Sequence, residues 1–115
     1  MKRLPDRLER LLATLEALDR GDRIEILVDV ARRFPRVPER IAVRPYPKEH
    51  LVPGCESEAY VWAEPRPDGT LTYHFAVENP QGISAMALAA ILGGSLSGVS
   101  LDEVVAVPAD VVYRI

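Results

Sequence analysis

Leu4, Leu8, Leu11, Leu12, Leu15 and Leu18 recur at intervals of three and four, which predicts an amphipathic helix over about 5–18. Gly21 interrupts the pattern, and Asp22 is placed to cap a second helix with Ile24, Leu27, Val28, Ala31 and Phe34 on one stripe. Pro35, Pro38, Pro45, Pro47 and Pro53 then exclude continued helix, so 35–53 is predicted as an extended loop crossing the surface. From Glu56 the period becomes two. Glu58, Tyr60 and Trp62 fall on one face of a strand, and Ser57, Ala59, Val61 and Ala63 on the other. The segment PRPDGT at 65–70 is a turn, after which Leu71, Tyr73, Phe75 and Val77 alternate with Thr72, His74, Ala76 and Glu78 as the hairpin partner. Asn79-Pro80 is a helix-start signal, with Asn as the cap and Pro at the first helical position. Ile83, Met86, Ala87, Ala90 and Ile91 form the buried stripe of that helix, and Gly93-Gly94 is its expected stop. Ser100, three residues before Glu103, fits a capping box that opens a short last helix ending before Pro108.

Two antiparallel helices bury little by themselves and need a sheet to lie on. The order of elements therefore predicts an α+β, two-layer domain: a small antiparallel sheet of about three strands with helices packed on one face. There are no internal repeats or low-complexity segments, and residues 1–115 are read as a single domain.

Composition narrows the function. The chain has 115 residues, 48% hydrophobic and 27% charged, the balance of a globular domain with a modest core. No apolar run approaches the roughly 20 residues of a membrane span, and MKRLPDRLERLL lacks the continuous apolar stretch of a signal peptide. A single Cys forms no internal disulfide, so an oxidising compartment is not indicated and a cytoplasmic location is expected. The net charge of −3 argues against nucleic acid as a partner. That charge is unevenly divided: residues 1–50 carry 12 Lys and Arg against 9 Asp and Glu, whereas 51–115 carry 2 against 8. Arg32, Arg33, Arg36, Arg40 and Arg44 lie together ahead of the acidic half. A solvated helix end and loop explains such a cluster, and so does a docking surface for an acidic partner.

The chemistry available is limited. One Cys with His50 and His74 cannot build a closed zinc site or hold an iron–sulfur cluster within one chain, and there is no Gly-rich phosphate loop between a strand and a helix. A Cys–His hydrolase with either His as base would lack an oxyanion-hole motif. Glu56 and Glu58, on one face of the expected strand, are weaker acid–base candidates. Cys55 remains. Free Cys is usually buried and inert. Here, however, Pro53 and Gly54 occupy the central positions of a type II turn over Val52–Cys55, which sets the thiol at the exit of a surface turn. A reactive thiol and a packed one both remain open at this level.

The run Val52-Pro53-Gly54-Cys55-Glu56-Ser57, followed by an aromatic strand, resembles the sulfur-acceptor motif of the SufE family, V-x-G-C-x-S and then an apolar residue and Trp. The resemblance extends over two N-terminal helices, a Pro-rich approach loop, the hairpin and an apolar helix, and ends in Gly98, Ser100 and Glu103 of a G-x-[ST]-x-x-E segment. It implies a two-layer sandwich of the SufE and IscU kind. It also implies a function: a cysteine desulfurase, which carries its own pyridoxal phosphate, passes persulfide sulfur to Cys55, and an iron–sulfur scaffold complex receives it. Such a protein stimulates the desulfurase, needs no cofactor or metal of its own, is not a free-standing enzyme, and is a monomer or weak dimer. Val52, Pro53, Gly54 and Ser57 would support the acceptor turn, with Glu56, Glu58 and His50 as candidates for tuning the thiol. The alternatives are an interaction domain of this fold that has lost sulfur transfer, and a small Cys-dependent redox or hydrolytic protein. The sequence departs from the family pattern at several points. The family Trp falls on Tyr60, with Trp62 two residues on; Glu56 and Glu58 stand where Gln is usual. Ala85 and Met86 replace a basic residue and a Gly, and the family's longer C-terminal helical region would lie beyond Ile115.

Overall fold

The computed structural model describes residues 4–54, 56–108 and 111. Its elements are α1 (Asp6–Glu16), α2 (Arg20–Arg32), a 3-10 turn (Lys48–His50), β1 (Ala59–Pro65), β2 (Leu71–Val77), α3 (Ile83–Leu96) and α4 (Leu101–Val105). β1 and β2 form an antiparallel hairpin in which Ala59 faces Val77 and Trp62 faces His74. The fold is the expected α+β arrangement, with four helices and a two-stranded sheet among the described residues. In place of a third strand there are isolated bridges at the two sheet edges, Leu51 to Tyr60 and Arg36 to Phe75. They have a physical use, because an open edge offers unpaired N–H and C=O groups to other chains. Val37 N–H donates to Phe75 O at 2.9 Å and Gly98 N–H to Leu71 O at 2.9 Å, so the outer edge of β2 is covered from both ends.

Two cores result. In the first, the α1 stripe of Leu8, Leu12 and Leu15 is buried with Ile91 of α3 and Val111, while Leu27 and Val30 of α2 pack alongside. α3 is the central element, packing on α2, β2 and α1, which explains why it is apolar on all sides rather than amphipathic. The second core lies on the opposite face of the hairpin, where Trp62 and Ala76 are covered by Val37 and Tyr46 from the Pro-rich segment. That segment is therefore a third layer rather than the surface crossing its prolines predict, because Val37 and Tyr46 are 5% and 9% exposed. No helix among the described residues is long and apolar enough to cross a membrane.

Several helix boundaries differ from the sequence reading, each for a local reason. The cap of α2 is Asp19, whose side chain accepts from Asp22 N–H at 2.9 Å. Gly21 therefore lies in the first turn, where an N–H needs no intrahelical partner. Asn79-Pro80 does not open α3. The Asn79 side chain accepts from Gln81 N–H at 3.0 Å, and its carbonyl accepts from Gly82 N–H at 2.9 Å, giving a side-chain-stabilised turn with Gly82 as the cap. Nor do Gly93 and Gly94 end α3, which runs on to Leu96. A Cβ on Gly93 would lie 3.2 Å from the Phe75 ring, so that glycine allows close approach of helix and hairpin. Ile83 of the expected buried stripe is 46% exposed. The last helix follows the prediction: Ser100 accepts from Glu103 N–H and donates to Glu103 Oε1 at 2.9 Å.

Candidate functional site

The candidate acceptor, Cys55, lies outside the described residues, and the site is built from what surrounds it in the chain. On the approach, Val52 N–H donates to Ala59 O at 2.8 Å and Leu51 bridges Tyr60. His50 is hydrogen-bonded through Nδ1 to Val61 O at 3.0 Å. Residues 50–52 are thus laid antiparallel along the outer edge of β1, and 53–58 is a short loop with a closed neck. Within it Gly54 has φ 74, the value required of the third residue of a type II turn and one that L side chains rarely adopt. Pro53, Gly54, Glu56 and Glu58 are exposed, while Val52 and Ser57 are half-buried.

The return limb is held from below. Asn79 N–H donates to Ser57 O at 3.2 Å and Glu78 N–H to Glu58 O at 3.1 Å, which carries the hairpin pairing two residues past β1. Glu58, with φ 53, is the one non-glycine residue at positive φ among those described, a conformation that costs roughly 1–2 kcal/mol and persists only where neighbours enforce it. This overturns the reading of Glu56 and Glu58 as partners on one strand face: β1 begins at Ala59, and the left-handed residue at 58 breaks the alternation. Gly82 supports the same limb. A Cβ there would lie 2.9 Å from Ser57 Cβ and 3.0 Å from Val77 Cγ1. A glycine just ahead of an apolar helix is the sequence signal for this contact, masked by the stronger helix-start signal of Asn79-Pro80.

Four rings stand beside the neck on the second-core face. Tyr46 meets Trp62 edge-on at 5.2 Å and Tyr60 at 5.3 Å, and the His50 ring stacks on Trp62 at 5.1 Å. Tyr60 and Trp62 are also stacked, at 6.1 Å. Such pairs contribute about 0.5–1.5 kcal/mol each beyond the area they bury. The shared face of Tyr60 and Trp62 is legible from alternation; the role of Tyr46 is not, because nothing in a Pro-rich run indicates which residue folds back.

Two arginines of the basic segment pair with carboxylates of the acidic hairpin. Arg40 grips Glu64 with two hydrogen bonds, at 2.5 and 3.0 Å, and Arg44 donates to Glu78 at 2.9 Å. The basic segment is thereby tied across the acidic hairpin. His74, the other histidine, meets Glu64 Oε1 through Nε2 at 2.9 Å and lies away from the Cys55 loop. Arg40, and then His74, hold the Glu64 carboxyl down from 4.5 to about 2. Between those two values the unfolded chain takes up the proton first, so Glu64 favours the folded state above its ordinary range and loses that effect as pH falls toward 2. Urea midpoints measured from about pH 5 to 2 should drop more steeply for the wild type than for Glu64→Gln. The residual slope in the variant includes Asp68, which Thr70 also holds below its ordinary value. Parallel curves would show that the Arg40–Glu64–His74 cluster is screened out by solvent.

A helical layer on a two-stranded hairpin, with a closed-neck loop ahead of the first strand, defines a small α+β domain. The chain belongs to the SufE family: the model of that family, described as an Fe-S metabolism associated domain, matches residues 9–115. Among solved structures it is similar to the solution structure of a hypothetical protein from Thermus thermophilus, with a TM-score of 0.72 and 24% identity over 92% of this chain and 72% of that one. That likeness is one of fold. No curated protein matches the chain.

Proposed function

We propose that this protein accepts sulfur on Cys55 from the persulfide of a cysteine desulfurase and delivers it to an iron–sulfur scaffold complex. Membership of a family associated with Fe–S metabolism, together with the single Cys placed directly after the left-handed Gly54, is what supports this reading. The step is an exchange at divalent sulfur. The Cys55 thiolate attacks the terminal sulfur of the donor persulfide, a new S–S bond forms on Cys55, the donor's S–S bond breaks, and the donor Cys leaves as thiolate. No net oxidant is consumed, and no metal or cofactor on this chain takes part; pyridoxal phosphate belongs to the desulfurase. The protein is then a partner of that enzyme in the cytoplasm rather than a free-standing catalyst. The deciding experiment mixes it with a desulfurase and free cysteine and maps added sulfur by mass spectrometry. Sulfur on Cys55 is expected, and a chain that never gains it would be an interaction domain of the same fold.

Val52, Pro53, Gly54 and Ser57 shape the acceptor turn, and Glu56 and Glu58 flank it. No cation among the described residues pairs with either carboxylate, so both would oppose formation of a thiolate beside them. Replacing both with Gln should speed alkylation of Cys55 at neutral pH, and the gain should shrink as salt screens the exposed charges. Superimposable rate curves for wild type and double variant would remove the carboxylates from any tuning role.

A further inference from the structure

His50 is placed to hold the neck of the loop that follows it. We infer that His50 is a positioning residue whose Nδ1–H, donated to Val61 O, locks the arm 50–52 onto β1 and so fixes where the loop 53–58 begins; its value for sulfur transfer rests on the reading of Cys55 above. Three successive residues of the arm engage three of β1. Val52 N–H bonds Ala59 O at 2.8 Å, Leu51 bridges Tyr60, and His50 reaches Val61 O at 3.0 Å with its ring rather than its backbone. The substitution of ring for backbone has a reason. His50 N–H is already committed to Pro47 O at 3.1 Å, inside the 3-10 turn that carries the chain away from the sheet. The imidazole supplies the donor that the departing backbone cannot, and its stacking on Trp62 at 5.1 Å sets the ring plane.

The acceptor is a carbonyl, so Nδ1 must carry the proton. In the neutral ring the lone pair is then on Nε2, which is 4.0 Å from Glu49 Oε1. Both the neutral ring in this tautomer and the imidazolium donate through Nδ1, so the latch does not depend on which is present. A general base acting on the thiol would instead depend on Nε2.

Two substitutions separate these roles. Phe at 50 keeps a stacking ring and removes the donor, whereas the Asn side-chain amide can place an N–H near the position of Nδ1. Native-state hydrogen exchange on the free protein should show the Val52 amide exchanging about five- to tenfold faster in His50→Phe, the loss expected for one hydrogen bond. The Leu12 amide in α1 should be unchanged, and His50→Asn should restore most of the Val52 protection. Sulfur uptake from a desulfurase should follow the same order across the three proteins. No change at Val52 in the Phe variant overturns the latch, as does an equal rise at Val52 and Leu12, which would mean global loosening. Equal loss in the Asn and Phe variants overturns it in favour of a role that only imidazole can fill. If the wild type takes up no sulfur, it is the reading of Cys55 that fails, and the exchange rates still decide the latch.

Discussion

Cys55→Ser should abolish sulfur uptake from a desulfurase and leave the thermal midpoint almost unmoved. The first half follows from chemistry. A serine hydroxyl is not ionised near neutral pH and forms no persulfide, and the chain has no second Cys to take over. The second half follows from the way the loop is held. Its turn conformation is carried by Gly54 at φ 74, and its ends are fixed by Val52 N–H on Ala59 O and by Asn79 N–H on Ser57 O. None of these bonds uses the Cys side chain, so a change of one sulfur to oxygen leaves them intact and is expected to stay within about 0.5 kcal/mol. The checks are mass spectrometry for the sulfur and calorimetry for the midpoint. Retained uptake in the Ser variant would move the acceptor elsewhere. A loss of several degrees would make Cys55 a packing residue.

Gly82→Ala is the substitution expected to damage the loop from a distance. The backbone at Gly82, with φ −79, is open to any residue, so the effect is steric. The new methyl would lie 2.9 Å from Ser57 Cβ, 3.0 Å from Ser57 Oγ and 3.0 Å from Val77 Cγ1. Ser57 cannot rotate away from its own Cβ, and Val77 is buried at 3% exposure, so backbone must shift. Overpacking of this kind costs about 1–3 kcal/mol, offset by about 0.4–1 kcal/mol from the stiffer unfolded chain. Gly94→Ala supplies the contrast. That residue is helical and exposed with nothing within 4 Å of an added Cβ, so it should gain stability by up to roughly 1 kcal/mol. Urea unfolding of the pair measures both effects, and sulfur uptake by the Gly82 variant at low temperature reports on the displaced Ser57 limb. Equal stabilisation by both alanines would mean that α3 and the loop are packed more loosely than these distances imply.

The legible parts of this protein are those written in local periodicity. The Leu stripe of α1, the alternation of β1 and β2, the turn at Asp68-Gly69 and the Ser100–Glu103 cap are each decided within a few residues, by spacing or by a side chain bonding its own neighbourhood. Gly54 belongs with them, because Pro-Gly has few conformations open to it and Gly54 adopts the positive φ expected. What depends on distant partners does not show. Gly93 and Gly82 read as helix punctuation, yet each is small because another element, Phe75 or Ser57, comes close. Tyr46 and Val37 sit in a Pro-rich run with no periodicity to place them, and only the hairpin face they cover makes them core. Glu58 continues the alternation on paper. In the fold, hydrogen bonds from Asn79 and Glu78 to Ser57 and Glu58 close the ladder beneath the loop, and Glu58 turns left-handed beside them. The sequence by itself determined which segments become helix and strand, since those rest on short-range geometry, and it singled out Cys55 as the proposed acceptor only through the likeness of residues 52–57 to the family motif. The tertiary structure alone decided how the loop carrying that residue is gripped, since the grip is made from outside the loop, by Ala59 and Val61 of β1, by Glu78 and Asn79 beyond β2, and by the space that Gly82 leaves for Ser57.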